Sequence, residues 1–181
     1  MGALNFMELY HSPYEAYPFL SDESSNLCCD FELFTDLMAS HTGLLRAQVT
    51  DKSLREDLLW ICELIYHINP TLRTRLTVTE AEKDRLLQMA SQLKDACGSR
   101  CKLFVLTQGS EAACTAHLLR VEGKMLVRLI HRHCQQSHTV PPLLLDLANL
   151  LSGYFFYLAL RLNELDGVDE IPYESRNYPA K

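Results

Sequence analysis

Three basic side chains at four-residue intervals form the clearest chemical pattern in this sequence. They are Arg120, Lys124 and Arg128, and His117 lies about one helical turn before the first of them. Residues four apart share one face of an α-helix, so these side chains predict a basic stripe. A row of cations repels itself unless anions or acidic groups lie opposite. The stripe therefore indicates either a solvated helix face or a site for a polyphosphate, whose oxygens Arg and Lys bind.

An acidic residue in an apolar stretch is a candidate partner for this stripe. Asp36 stands between Leu33 and Leu37 in a segment with helical periodicity. A carboxylate that becomes buried needs a cation beside it. The basic stripe could supply that cation.

The cysteines and histidines do not form a convincing metal site. The chain has seven cysteines, an odd number that intrachain disulfides cannot use up. Cys97 and Cys101 could be half of a zinc site, but no second half follows at a usual spacing. His131 and His133 are two residues apart, so on a helix they point in different directions. We predict free thiols and no bound metal.

Composition indicates one soluble, acidic domain. The chain has 181 residues, of which 48% are hydrophobic and 22% charged, and its net charge is −6. That charge argues against a nucleic-acid partner. No apolar run is long enough to predict a membrane span, and the first residues do not resemble a signal peptide. We therefore expect a cytoplasmic protein without a membrane partner.

Hydrophobic periodicity and capping signals predict five helices and no sheet. The helices are expected over about 27–48, 51–68, 79–98, 110–134 and 141–165. We expect an all-α five-helix bundle domain over residues 26–166, preceded by an extended aromatic arm (1–25) and followed by a C-terminal tail (167–181). The short apolar run 102–106 has no second strand with which to pair. The tail is expected to lie on the surface or against a neighbouring molecule.

Three motifs, in this order and spacing, resemble the trimeric five-helix ATP:corrinoid adenosyltransferases, the cob(I)alamin adenosyltransferase family. The first is Phe104-Val105-Leu106-Thr107-Gln108-Gly109, and the second is His117-Leu118-Leu119-Arg120. The third runs from Asn149 to Phe156 and reads NLLSGYFF. Upstream, Thr35-Asp36-Leu37 with Gly43 is similar to the family's first long helix. The resemblance covers about residues 30–173.

The resemblance implies roles for the matching residues. Asp36 and Arg120 would form a salt bridge between subunits at the corrinoid site. Phe104 would press on the lower face of the corrin, displace the lower ligand and yield four-coordinate cobalt(II), which is easier to reduce to cobalt(I). Cobalt(I) would then attack C5′ of ATP and release triphosphate. The resemblance assigns cofactor binding to Lys124, Arg128, His117, Asn149, Ser152 and Tyr154.

The nucleotide side departs from the family pattern. The N-terminal loop that wraps the phosphates of ATP in the family has no counterpart in this sequence. Thr107 replaces the proline of the first motif, Gly153 replaces the aspartate of the third, and Val127 replaces an acid in the cationic stretch after the second. The corrinoid-side residues are kept.

Three functions stay open on these grounds. The first is a divergent corrinoid adenosyltransferase, using cobalamin, ATP and Mg²⁺ as a homotrimer, with a cobalamin reductase or an adenosylcobalamin-dependent enzyme as a possible partner. The second is a corrinoid carrier, chaperone or sensor that has lost the ATP chemistry. The third is a bundle that serves only as a scaffold for assembly.

Overall fold

Five α-helices form the framework of the protein, as a computed structural model that describes residues 10–102 and 104–177 shows. They are α1 (Leu27–Gln48), α2 (Lys52–Ile68), α3 (Glu80–Cys97), α4 (Glu111–Gln135) and α5 (Pro142–Leu165). A short 3₁₀-helix, Gly98–Lys102, follows α3. The prediction of an all-α five-helix fold is confirmed.

The helix starts follow from capping side chains. Asn26, Asp51, Thr79 and Ser110 each accept a hydrogen bond from a backbone N–H of the first turn of α1, α2, α3 and α4, respectively. These side chains satisfy amides that have no partner inside the helix. Helix α5 begins with a proline at its first position, where a missing N–H costs nothing. These local signals explain why the sequence predicts the boundaries closely.

Helix α5 has half of its 24 residues buried. It packs against α3 and α4, while α1 packs against α2 and α4. The contact between α4 and α5 is close at Gly123, where an added Cβ would lie 2.9 Å from Cβ of Ser152. The hydroxyl of Ser152 donates a hydrogen bond of 2.9 Å to the carbonyl of Arg120. This close approach places α5 directly behind the basic side chains of α4.

Helix α5 is also long and apolar enough to cross a membrane by length and composition. The mean hydropathy of its most apolar 18 residues is 1.6, and 56% of that stretch is buried inside the protein. Its contacts with α3 and α4 account for that burial. A core helix of this kind passes the same test, so the feature is weak evidence for a membrane span.

The C-terminal tail pairs with the segment that carries Phe104. An isolated antiparallel bridge joins Val105 and Pro172. The N–H of Leu106 donates to Ile171 O at 2.9 Å, and the N–H of Tyr173 donates to Phe104 O at 2.8 Å. The prediction that residues 102–106 have no partner strand is therefore wrong. A turn after α5, with Gly167 at φ +68°, sends the tail back along the bundle to this segment.

The N-terminal arm is held by one arginine. The guanidinium of Arg73 forms hydrogen bonds with both carboxylate oxygens of Glu32 and with Asp22. It also lies 3.5 Å from the centre of the Phe19 ring. Residues 12–22 form turns and bends, so the described part of the arm is not extended as predicted. Residues 1–9 of the predicted arm and 178–181 of the predicted tail lie outside the described residues.

Candidate functional site

A cleft of about 430 Å³ lies between α4, α5 and the segment before α4, and we call it the Phe104 cleft. Most of its lining comes from three parts of the chain that the sequence motifs occupy. The lining residues are Cys101, Lys102, Phe104, Val105, Thr107, His117, Arg120, Lys124, Ser152, Gly153 and Phe156. The structure therefore brings together five predicted site residues: Phe104, His117, Arg120, Lys124 and Ser152.

Phe104 is unusually exposed for an aromatic residue. Its side chain is 83% accessible although it borders the cleft. An exposed aromatic ring loses the free energy that burial would give it. A ligand or a second protein surface that covers the ring would recover that free energy.

His117 is a buried histidine without a hydrogen-bond partner. It is 4% exposed, and neither ring nitrogen meets a partner among the residues that the structure describes. Burial, with a smaller contribution from the charge of Arg120, lowers the pKa of His117 from 6.5 to about 4. The ring is therefore neutral at pH 7, with one nitrogen able to donate and the other able to accept.

Arg120 carries a second unsatisfied group beside His117. Its Nε atom is buried without a partner in the described part of the chain, and burial lowers the pKa of the guanidinium. Leaving such groups unpaired costs free energy. Two of them lining one cleft indicate that a ligand or another subunit completes the site.

A neighbouring cleft of about 450 Å³ shares some lining residues with the Phe104 cleft. Thr107, His117 and Arg120 line both clefts, and the second also contacts Leu44 of α1 and Leu118 of α4. The unsatisfied groups thus lie between the Phe104 cleft and an apolar surface of α1 and α4. A molecule that covers this apolar surface can therefore also contact His117 and Arg120.

The basic stripe is divided between two places. Lys124 lines the Phe104 cleft, whereas Arg128 lines a separate cleft of about 360 Å³ with Arg132 and Met125. Four residues advance a helix by somewhat more than one turn, so each step rotates the side chain by about 40°. Within one chain, Arg128 is therefore separated from the pocket that holds Arg120 and Lys124.

Asp36 does not meet Arg120 inside the chain. It is exposed on α1 and accepts a hydrogen bond of 2.8 Å from the hydroxyl of Tyr66 on α2. No ion pair joins Asp36 to any cation in the described residues. The predicted salt bridge with Arg120 would have to form between subunits.

Asn149 lies in a different cleft from the other motif residues. It lines a surface groove between α3 and α5, together with Lys83 and Lys94. Its side-chain amide donates 2.8 Å to Leu145 O on its own helix. Its predicted role in cofactor binding has no support from the Phe104 cleft.

Tyr154 is a core residue. Its side chain is 0% exposed and its hydroxyl has no hydrogen-bond partner in the described structure. Burial raises its pKa. Tyr154 does not line the Phe104 cleft, because a residue two places after Ser152 on a helix points away from the Ser152 face.

Replacing Tyr154 with Phe is expected to keep or increase stability. The change removes an unpaired buried hydroxyl and leaves the ring that fills the core, so we expect the free energy of unfolding to rise by about 1 kcal/mol. Urea unfolding followed by circular dichroism measures this. Phe155→Tyr, which would add a hydroxyl to a neighbouring buried ring, should be destabilising. A loss of more than about 1 kcal/mol in the Tyr154 variant would show that the hydroxyl has a partner.

Several lining residues were not predicted as site residues. Cys101, Lys102 and Phe156 join the cleft because the 3₁₀-helix and α5 bring them there. Asn163, which is fully buried, holds the loop before α4 and was also missed. A polar residue on the apolar face of a predicted helix is the signal that could have identified Asn163.

The described residues contain no group of three or more His, Cys, Asp or Glu side chains that could hold a metal ion. The seven cysteines are free thiols. The Phe104 cleft offers a ligand an aromatic ring, a neutral imidazole and cationic side chains.

Solved structures of PduO-type ATP:corrinoid adenosyltransferases from Lactobacillus reuteri share the fold. A phenylalanine-to-alanine variant complexed with cobalamin and ATP is 19% identical, with a TM-score of 0.74 over 83% of this chain and 87% of that chain. An arginine-to-lysine variant complexed with ATP is 20% identical, with a TM-score of 0.74 over 82% and 88%. A phenylalanine-to-histidine variant complexed with cobalamin and ATP is 18% identical, with a TM-score of 0.76 over 90% and 97%. No curated protein matches the sequence.

These likenesses define the class of protein as a corrinoid adenosyltransferase fold. The family model for cobalamin adenosyltransferase matches residues 34–162, which include most of α1, all of α2, α3 and α4, most of α5 and the Phe104 cleft. The chain belongs to the cobalamin adenosyltransferase family.

Proposed function

We propose that this protein transfers the 5′-deoxyadenosyl group of ATP to cob(I)alamin in the Phe104 cleft. One observation carries the proposal. The cleft combines an exposed aromatic ring, Phe104, with the unpaired side chains of His117 and Arg120. A large ligand that is part apolar and part polar would satisfy all three groups, and a corrinoid with its amide side chains has that chemistry.

Phe104 acts on the corrinoid as an apolar wedge. The ring lies against the lower face of the corrin and occupies the space of the lower axial ligand. Water and nitrogen ligands are excluded there, so cobalt(II) becomes four-coordinate and its reduction becomes easier. The reducing electron comes from a separate electron donor, and a cobalamin reductase is the partner that this step requires.

The group transfer itself is a displacement at C5′. The electron pair of cobalt(I) forms the Co–C bond while the C5′–O bond breaks, and triphosphate leaves with that electron pair. Positive side chains stabilise the charge that grows on the leaving group. Lys124 lies in the cleft for this purpose, and Arg128 would join it from an adjacent subunit.

Mg²⁺ is the expected companion of ATP. The residues that line the Phe104 cleft include no carboxylate. Mg²⁺ keeps several waters and commonly binds through substrate phosphates. The ion would therefore be held by the triphosphate and water, and this chain's role is limited to binding the complex through its cations.

The oligomer that suits this site is a homotrimer. Helices α1 and α4 expose the apolar side chains of Leu33, Leu37, Leu44, Leu118, Val121 and Met125. Of these, Leu44, Leu118 and Val121 line the cleft that also contains His117 and Arg120. A patch of this kind on one side of a soluble protein marks an interface. Covering it with a second copy would also bring Asp36 of one subunit to the unpaired Arg120 of the next.

Leu118→Glu is expected to break the oligomer. Leu118 is 59% exposed in the single chain, so the new carboxylate costs little there but would be desolvated at an apolar interface. Sedimentation equilibrium should find three times the chain mass of 20.7 kDa for the unmodified protein and a smaller assembly for the variant. Leu87→Glu, at an exposed apolar position on α3, is the matched control and should stay trimeric. A trimer in the Leu118 variant would contradict the assignment of this face.

An anaerobic assay with cob(I)alamin, ATP and Mg²⁺ tests the function. Loss of the cob(I)alamin absorbance with formation of a light-sensitive Co–C product supports the adenosyltransferase. The divided basic stripe favours one rival, a corrinoid carrier or sensor without ATP chemistry. That rival predicts a four-coordinate cob(II)alamin spectrum with no turnover. Binding of neither ligand would contradict both functions and would favour a bundle that serves only as a scaffold for assembly.

The seven free thiols suit a reducing cytoplasm, which is where we place the reaction.

A further inference from the structure

Phe104 has little side-chain packing to hold it in place. Because the ring is 83% exposed, its position is set by the backbone of its own segment. A wedge that must displace an axial ligand needs a defined position, since a small misplacement of a reacting group is costly. The backbone contacts of residues 104–110 therefore decide where the ring lies.

The beginning of this segment is held by the C-terminal tail. Residues 168–173, which we call the strap, run antiparallel to it. The two backbone bonds are Tyr173 N–H to Phe104 O at 2.8 Å and Leu106 N–H to Ile171 O at 2.9 Å. The first of these bonds acts on the peptide group of Phe104 itself.

The end of the segment is held by Asn163. Its Oδ1 accepts 3.0 Å from the N–H of Ser110, and its Nδ2 donates 3.1 Å to Gln108 O. Gly109 between them has φ +139°, and a Cβ there would lie 1.9 Å from Oδ1 of Asn163. The backbone of Gly109 therefore packs directly against the side chain of Asn163, and a larger residue at position 109 would clash with it.

The same asparagine fixes the strap. Nδ2 of Asn163 also lies 3.2 Å and 3.3 Å from the two carboxylate oxygens of Glu170. Arg100 donates 2.9 Å to Val168 O and 3.4 Å to Glu170. The carboxylate of Glu170 is 8% exposed, so it depends on these two donors for its stabilisation. Asn163 therefore couples the strap and the Phe104 segment in one hydrogen-bond network.

We propose that Asn163 and Glu170 are positioning residues that set the Phe104 ring through the strap. The inference rests on the proposed function, since it assigns the strap to the wedge of the corrinoid site. The strap contributes no atom to the reaction. It holds the peptide of Phe104 where the ring can occupy the lower axial position.

Two substitutions in the full chain test the strap, each with a matched control. Tyr173→Pro removes the N–H that binds Phe104 O, whereas Tyr173→Ala keeps it. Glu170→Gln removes the charge that binds Arg100, whereas Glu174→Gln removes an exposed charge from the same tail. Circular dichroism checks that all four variants fold.

The readout is the ratio of four- to five-coordinate cob(II)alamin in the presence of ATP, measured by electron paramagnetic resonance. Loss of the N–H donor in Tyr173→Pro, and loss of the charge that pairs with Arg100 in Glu170→Gln, should each lower that ratio about fivefold, which corresponds to about 1 kcal/mol. The two controls should match the unmodified protein. Affinity for ATP should be the same in all five proteins, which separates positioning from a general loss of structure.

Hydrogen exchange at residues 104–108 distinguishes failure of the strap from failure of the function. Protection of the Leu106 amide should fall in Tyr173→Pro and persist in Tyr173→Ala. If the unmodified protein gives no four-coordinate signal, the proposed function fails, and hydrogen exchange alone decides the strap. If both the hydrogen exchange and the four-coordinate signal are unchanged in Tyr173→Pro, the proposal that the strap positions Phe104 is wrong.

Discussion

Replacing Phe104 with alanine is expected to abolish the four-coordinate cob(II)alamin signal and to lower turnover by about 100-fold or more. Without the ring, water or a nitrogen ligand reaches the lower axial position, and reduction to cobalt(I) becomes harder. The substitution should change the free energy of unfolding by less than about 0.5 kcal/mol, because the side chain is 83% exposed. Electron paramagnetic resonance and the anaerobic assay measure the two effects.

Leu106→Ala is the matched control for this substitution. Leu106 is an exposed apolar residue two positions along the same segment, and alanine keeps the backbone bond to the strap. Its side chain does not line the Phe104 cleft. We expect turnover within about twofold of the unmodified protein, as for an ordinary surface substitution. A four-coordinate signal that survives in Phe104→Ala would refute the wedge.

Stability is expected to fall as the pH decreases from 6.5 to 4, and His117 should be a main cause. The pKa of His117 is about 4 in the folded chain against 6.5 for the ordinary side chain. Below pH 6.5 the unfolded chain binds a proton that the folded chain does not accept, so protons favour unfolding. The stability that His117 contributes is complete above pH 6.5 and is lost as the pH falls towards 4. The loss is about 3 kcal/mol at 1.36 kcal/mol per pKa unit.

Urea unfolding at several pH values measures this loss. His117→Gln should flatten the pH dependence, because glutamine does not titrate. Burial and the adjacent His138 also lower the pKa of His133, so part of the slope should remain in that variant. His131→Gln, at an exposed position on the same helix, is the control. In that variant the free energy of unfolding should depend on pH as strongly as in the unmodified protein. Equal slopes in the His117 variant and the unmodified protein would show that this imidazole is not held neutral.

The helices could be predicted from the sequence because their signals are local. Asp51, Thr79 and Ser110 are capping residues at the helix starts, and the apolar residues that follow have helical spacing. Motif order and spacing then indicated the family. Five of the nine predicted site residues line one cleft for the same reason, since their helices are packed as the family resemblance implies.

The remaining features depend on contacts between distant segments. Asn163 is hydrogen-bonded to residues 53 and 55 positions away, and no local pattern encodes that. The strap pairs residues 104–106 with 171–173 through backbone atoms, which leave no mark in side-chain periodicity. Arg128 shares the four-residue spacing of the stripe, but helix rotation and the position of α1 place it in another cleft. The four-residue spacing alone does not show which face of α4 each neighbouring helix covers.

A crystal structure of the complex with cobalamin and ATP would test the site most directly. We expect the corrin ring to lie over Phe104, with His117 and Arg120 hydrogen-bonded to the ligand or to a neighbouring subunit and Lys124 near the triphosphate. A corrinoid bound outside the Phe104 cleft, for example in the groove that holds Asn149, or a Phe104 ring turned away from the corrin, would contradict the account.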